Sequence, residues 1–167
     1  MRTNVTLDKW LDADLEKLVL LANNKNVACF MTDAFPHPYT EEDGRRFMDF
    51  ARSHNPQRIF AVRVNNELAG AVGIHPAADI SRRNAELGYW IAEEFWGRGV
   101  ATKAVKLASE IAFALPEISR LYARPFGHNH ASRRVLEKCG FTLEATIKDG
   151  FFKNGLFIDE LIYGRRK

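Results

Sequence analysis

Two short segments hold residues whose types and spacing could do chemistry. The first is Trp96-Gly97-Arg98-Gly99-Val100-Ala101-Thr102. A glycine pair lets a backbone come close to a phosphate because no Cβ intervenes. A helix that opens just after it adds unsatisfied N–H groups and the positive end of a dipole. Arg98 supplies a charge that can reach phosphate oxygens. A plain strand-to-helix turn would use the same glycines, and Gly-x-Gly alone does not decide between the two. The segment is neither a Walker loop, lacking Gly-Lys-Ser/Thr, nor a dinucleotide fingerprint, lacking the third glycine. The second segment runs from Asn129 through Ser132, Arg133 and Arg134 to Gly140-Phe141. Asn129 is a natural helix N-cap. Glu86 is the only charge in the apolar run Ala85 to Ala92, which suits either a base or a carboxylate paired with an arginine. His128-x-His130 is two ligands short of a metal site, and no metal is expected.

The elements that must position these residues follow from hydrophobic period. Val5 and Leu7 read as a first strand. Asp12 or Asp14 is expected to cap a helix with Leu15, Leu18, Val19 and Ala22 on its apolar face. Thr40 starts a second helix, with Phe47, Met48, Phe50 and Ala51 as its buried side. Ile59 to Val64, Asn65-Asn66 and Leu68 to Ile74 read as a hairpin. Ala85 to Ala92 is a strand. Val100, Ala104, Leu107, Ala108, Ile111, Ala112 and Leu115 recur at intervals of three and four, the stripe of a helix packed on a sheet, which Pro116 stops. Ile118 to Ala123 is a strand and Ala131 to Cys139 a short helix ended by Gly140. Leu143 to Ile147 and Phe157 to Tyr163 close the chain as two strands around Lys153-Asn154-Gly155. The order predicts a mixed α/β sheet covered by helices.

A chain of 167 residues matches one domain, 1–167, large enough to bury a core without staples. Hydrophobic residues at 46% and charged residues at 27% exclude a disordered chain. The net charge of +3 permits a polyanionic small ligand but is far from a dedicated nucleic-acid binder. Cys29 and Cys139 form no metal or redox motif and fit a reducing compartment. Met1 to Lys17 lacks a signal-peptide core, and the longest apolar runs fall far below the roughly 18 residues of a membrane span. A cytoplasmic protein with no membrane partner is the expectation.

With both segments in view, the sequence resembles the GNAT superfamily of N-acetyltransferases, and within it the Rim-type ribosomal-protein N-terminal acetyltransferases. The resemblance spans the chain through Phe35-Pro36-His37-Pro38-Tyr39-Thr40, Ala85 to Ile91, Phe95 to Thr102, Asn129-x-x-Ser132 and Leu136 to Phe141. The superfamily's Gln/Arg-x-x-Gly-x-Gly/Ala signature reads Trp96-x-x-Gly99-x-Ala101 here, with Trp in the first place. The resemblance implies a mostly antiparallel sheet with a splayed parallel strand pair and helices on both faces. It implies acetyl-CoA as co-substrate in the splay. Trp90, Ile91 and Ala92 would pair with the pantetheine arm. Arg98, Gly99, Val100, Ala101 and Thr102 would cradle the pyrophosphate. Asn129 and Ser132 would line the opposite wall, with Arg133 near the adenine.

Transfer to an amine needs a base, donors for the acyl oxygen and a proton donor for the departing thiolate. The resemblance points to Ser132 as that donor, since Leu136 stands where many members carry Tyr; a first-turn serine bonded to its own backbone is the plainer reading. A strand N–H of Ile91 or Ala92 would face the acyl oxygen. Glu86 matches a strand carboxylate used as base elsewhere in the superfamily. Phe151 occupies the place of a glutamate in some Rim-type enzymes, with Asp149 the nearest carboxylate. The implied acceptor is a protein N-terminal α-amine or a small-molecule amine, in a monomer or homodimer with no specific nucleic acid. A CoA-binding sensor with little turnover is the alternative that Phe151 keeps open.

Overall fold

The computed structural model describes residues 3–167. Among these residues, seven strands form one sheet in the order β1-β2-β3-β4-β5-β7-β6. The strands are β1 (Val5–Asp8), β2 (Ile59–Val64), β3 (Glu67–Pro76), β4 (Asn84–Ile91), β5 (Arg120–Ala123), β6 (Thr142–Lys153) and β7 (Leu156–Arg166). All neighbours are antiparallel except β4 and β5. The helices are α1 (Asp14–Ala22), α2 (Lys25–Ala28), α3 (Glu41–Arg52), α4 (Val100–Ala114) and α5 (His130–Lys138).

Turn chemistry sets the hairpins. Asn65 and Asn66 both take positive φ, as do Asn154 and Gly155, which matches the twist of the flanking strands. All six residues of β2 are buried. A strand alternates its faces, so both sides of the central sheet are covered. Helices α1 and α3 pack on each other and against β3 and β2, while α4 lies along β1, β3 and β4 and against α5. The small residues Ala104, Ala108 and Ala112 bring α4 close to the sheet, and Val105 is also buried.

Four local expectations need correction. Ala13, not an aspartate, stands at the N-cap of α1, with no side-chain cap. Asp14 instead accepts the Leu11 N–H and a two-pronged bond from Arg63 at 2.8 and 2.9 Å, both side chains being buried. Phe50 is exposed on α3, leaving Met48 and Ala51 as the buried contacts beside half-buried Phe47. The single-turn helix α2 was not anticipated; Asn24 caps it through Asn26 N–H. Strands β6 and β7 run well beyond the expected spans, because the pairing resumes past an irregularity between Ile147 and Phe151.

Candidate functional site

The parallel pair β4–β5 is short. Asn84, Ala85 and Glu86 pair with Arg120, Leu121 and Tyr122, and there the strands part. A cleft of about 710 Å³ opens at this fork. Ladder geometry decides which backbone groups face it. Ala92 donates its N–H to the Ala69 carbonyl at 2.8 Å, so alternate groups from Trp90 and Gly88 also turn toward β3. Gly70 confirms this direction, since a Cβ there would collide with the Trp90 carbonyl oxygen. The N–H and C=O of Tyr89 and Ile91 therefore face the gap. Trp96 Nε1 already donates to the Ile91 carbonyl at 2.7 Å, tying the glycine loop to the strand end. Tyr89 N–H, Tyr89 C=O and Ile91 N–H are left for a ligand strand. Of the three expected pairing residues, Ile91 turns its backbone to the gap; Trp90 lines the cleft but its N–H and C=O face β3, and Ala92 does not line it, its N–H being bonded to Ala69 and not free to face an acyl oxygen.

Gly97 and Gly99 both adopt left-handed backbone with φ of 73°, and a Cβ at either would meet nothing within 4 Å. The loop therefore presents open backbone. Helix α4 starts at Val100, and its first internal bond is Lys103 N–H to Gly99 C=O. The N–H groups of Val100, Ala101 and Thr102 have no helical partner, the standing condition of a helix start. Gly99, Val100, Ala101 and Thr102 line the cleft. Arg98 does not; its guanidinium lies 5.7 Å from the Phe95 ring centroid. Arg133 is also turned away, toward Tyr163 Oη and the Gly127 carbonyl. The cations on α5 that line the cleft are Arg134 and Lys138. A helix advances 100° per residue, so one step in sequence decides which arginine faces the fork; no periodicity argument had selected Arg134.

Asn129 and Ser132 sit on the wall opposite β4. The Asn129 side chain accepts the Ser132 N–H at 3.1 Å, capping α5. The Ser132 hydroxyl is not spent on its own helix. Its Oγ lies 2.7 Å from Tyr89 Oη. Burial pushes the Tyr89 phenol well above its ordinary pKa, so the ring keeps its proton. The acceptors within reach of that proton are Ser132 Oγ and, at 3.4 Å, the Ser132 carbonyl. A buried phenol seeks an acceptor. Tyr89 donating to Oγ leaves the serine's own hydrogen free to point into the cleft. The residue pattern does not single out Tyr89; strand alternation, which puts it on the face opposite Glu86, was the available signal. At the place of the superfamily's helix tyrosine, Leu136 is fully buried.

Glu86 stands at the fork as the last β4 residue paired with β5, and it lines the cleft. Arg124 approaches it at 3.9 Å but is bonded more closely to Glu160, at 2.5 Å. Asp149 is not at the cleft. It has φ of 55° in the β6 irregularity, is exposed, and its N–H bonds Asp159. The chain does not stay extended from Asp149 to Phe151, so the two do not share a face. Phe151 itself lines the cleft, as do His128 and His130, and among the described residues there is no group of three or more His, Cys, Asp or Glu that could hold a metal ion. Nor is any helix among them long and apolar enough to cross a membrane.

A mixed sheet forked at one parallel pair, with a glycine loop and helix start at the fork, defines an acetyltransferase architecture. Residues 4–142 match the acetyltransferase (GNAT) domain, and the chain belongs to that family. It is 36% identical over 101 residues to the uncharacterized N-acetyltransferase YoaA of Bacillus subtilis (strain 168), a match covering 60% of this chain and 56% of that protein. The chain thus spans about half the length of that relative. In fold it is similar to RimL, the ribosomal L7/L12 alpha-N-protein acetyltransferase solved with coenzyme A, with a TM-score of 0.86, 24% identity and coverage of 99% and 95%. It is also similar to spermidine N-acetyltransferase from Vibrio cholerae in complex with CoA and spermine, with a TM-score of 0.81, 26% identity and coverage of 97% and 95%.

Proposed function

We propose that the chain is one domain that moves an acetyl group from acetyl-CoA to a primary amine, either a protein N-terminal α-amine or a small-molecule amine, by direct attack in a ternary complex. The observation that carries this reading is the pairing of an open helix-start cradle with an oriented serine hydroxyl across one fork. Acetyl-CoA supplies the activated acyl group. The N–H groups of Val100, Ala101 and Thr102, with the open backbone at Gly99, are donors of the kind a pyrophosphate takes. Arg134 and Lys138 balance its charge. Tyr89 and Ile91 offer the unpaired strand groups that a pantetheine amide matches. Ile91 N–H is the donor left to face the acyl oxygen.

Glu86 takes up the proton that the ammonium form of the acceptor must lose, directly or through one water. Ser132 donates a hydrogen bond to the departing thiolate, held in place by Tyr89. This role predicts a loss in kcat with little change in acetyl-CoA affinity, because the thiolate is absent from the ground state. The test is CoA release with a panel of primary amines, for the natural chain and Ser132→Ala. Ser132→Ala should lose about 10²-fold in kcat, the low end for a positioned donor. Full turnover in Ser132→Ala would return the residue to its place in the helix cap.

A further inference from the structure

Beyond the fork, one wall of the cleft is built of contiguous rings that neither the cradle nor the proton donors use. It begins at Glu86. Arg124, 3.9 Å from Glu86, lies with its guanidinium 5.4 Å from the Phe151 centroid. The Phe151 and Phe126 rings meet at a tilt with centroids 5.2 Å apart, Phe126 and His128 at 6.1 Å, and His128 and Phe30 at 5.3 Å. All five line the cleft. Their backbones come from three places: the loop after α2, the segment after β5, and β6. Lys153 on β6 bonds Asp33, two residues past Met31, at 3.1 Å and ties two of those places together. Phe30 and Phe151 are half-buried rather than buried within this concave wall. Large rings left partly wet in a cleft mark a surface that an apolar group covers.

The charges are equally selective. Glu86 is the one carboxylate among the cleft-lining residues, and the cations there are Arg124, Arg134 and Lys138. One ammonium finds a partner in Glu86. A second or third cation on the same acceptor would find no further carboxylate among the lining residues, and the charge beside this wall is the guanidinium of Arg124.

We infer that the acceptor is a monoamine joined to an aromatic ring or a comparably bulky apolar group, seated on the Phe30–His128–Phe126–Phe151 wall with its amine at Glu86, and not a polyamine. This rests on the acetyl-transfer reading and narrows its substrate class. The ring wall does for the acceptor body what Glu86 does for its nitrogen.

The test compares three acceptors by CoA release: 2-phenylethylamine, n-butylamine and spermidine. The first should exceed the second in kcat/KM by about 10–100-fold, the discrimination an apolar pocket supplies, and should exceed spermidine by at least as much. Calorimetry with CoA-bound protein should rank the three in the same order without any turnover. Phe30→Ala and Phe151→Ala, each at a half-buried ring, should both collapse the ratio of 2-phenylethylamine to n-butylamine toward one. Spermidine equal to or better than 2-phenylethylamine, or a ratio unchanged in both variants, overturns the inference while leaving acetyl transfer intact. If no primary amine releases CoA, the acetyl-transfer reading falls and this one with it.

Discussion

Replacing Tyr89 by phenylalanine removes one oxygen and leaves the ring in place. The bond lost is the 2.7 Å contact between Tyr89 Oη and Ser132 Oγ. A net hydrogen bond of this kind contributes about 1 kcal/mol. In a chain of this length that lowers Tm by about 2–4 °C. The kinetic effect has the same origin. Without the phenol, the serine oxygen samples about three staggered positions instead of one. That gives about a 3-fold loss in kcat, rising to about 5-fold if the full 1 kcal/mol had oriented the hydroxyl. The decisive assay is the double-mutant cycle with Ser132→Ala, reading kcat for CoA release and the KM for acetyl-CoA. If Tyr89 acts through Ser132, Tyr89→Phe/Ser132→Ala should be no slower than Ser132→Ala. KM should stay within a few-fold throughout. A double variant that loses the product of the two single effects would refute the coupling, and a defect confined to KM would place Tyr89 in binding instead.

Acetyl-CoA at 100 times its Kd should stabilise the fold by about 2.7 kcal/mol. Ala101→Glu, which fills and charges the cradle, should abolish that thermal shift without unfolding the chain. Glu86→Gln should depress kcat/KM most at neutral pH and recover partly as rising pH deprotonates the amine, whereas Asp149→Asn should do little; the reverse pattern would move the base to Asp149. Asp14→Ala strands the buried guanidinium of Arg63. A broken buried pair costs about 3–5 kcal/mol, visible as a lower urea midpoint, and Asp14→Leu combined with Arg63→Met should regain much of it.

Much of the fold was legible because its signals are local. The stripe from Val100 to Leu115, the Asn65-Asn66 and Asn154-Gly155 turns, and the capping residues Thr40 and Asn129 each act within a few residues of themselves. Asp14 shows where such signals fail. Its position at a helix start reads as a cap, but a partner 49 residues away claims the carboxylate. Phe50 failed for a related reason: the stripe of α3 is narrower than its apolar residues suggest, since α3 packs chiefly on α1 and β2 and Phe50 points away from both. The end of the chain was read short because a bulge between Ile147 and Phe151 breaks the alternation that a strand is recognised by.

The candidate site divides along the same line. Residue type and order alone determined a glycine loop opening a helix, an Asn-x-x-Ser cap and a lone strand carboxylate, because backbone conformation and capping are properties of neighbours in the chain. Tertiary structure decided the rest. It turned Arg134 rather than Arg133 to the cleft, committed the Ala92 N–H to β3, joined Tyr89 to Ser132 across 43 residues and assembled one ring wall from Phe30, Phe126, His128 and Phe151. Each of those outcomes depends on how a strand or helix is rotated against another element. That rotation is set by packing between segments distant in sequence, which no local pattern encodes.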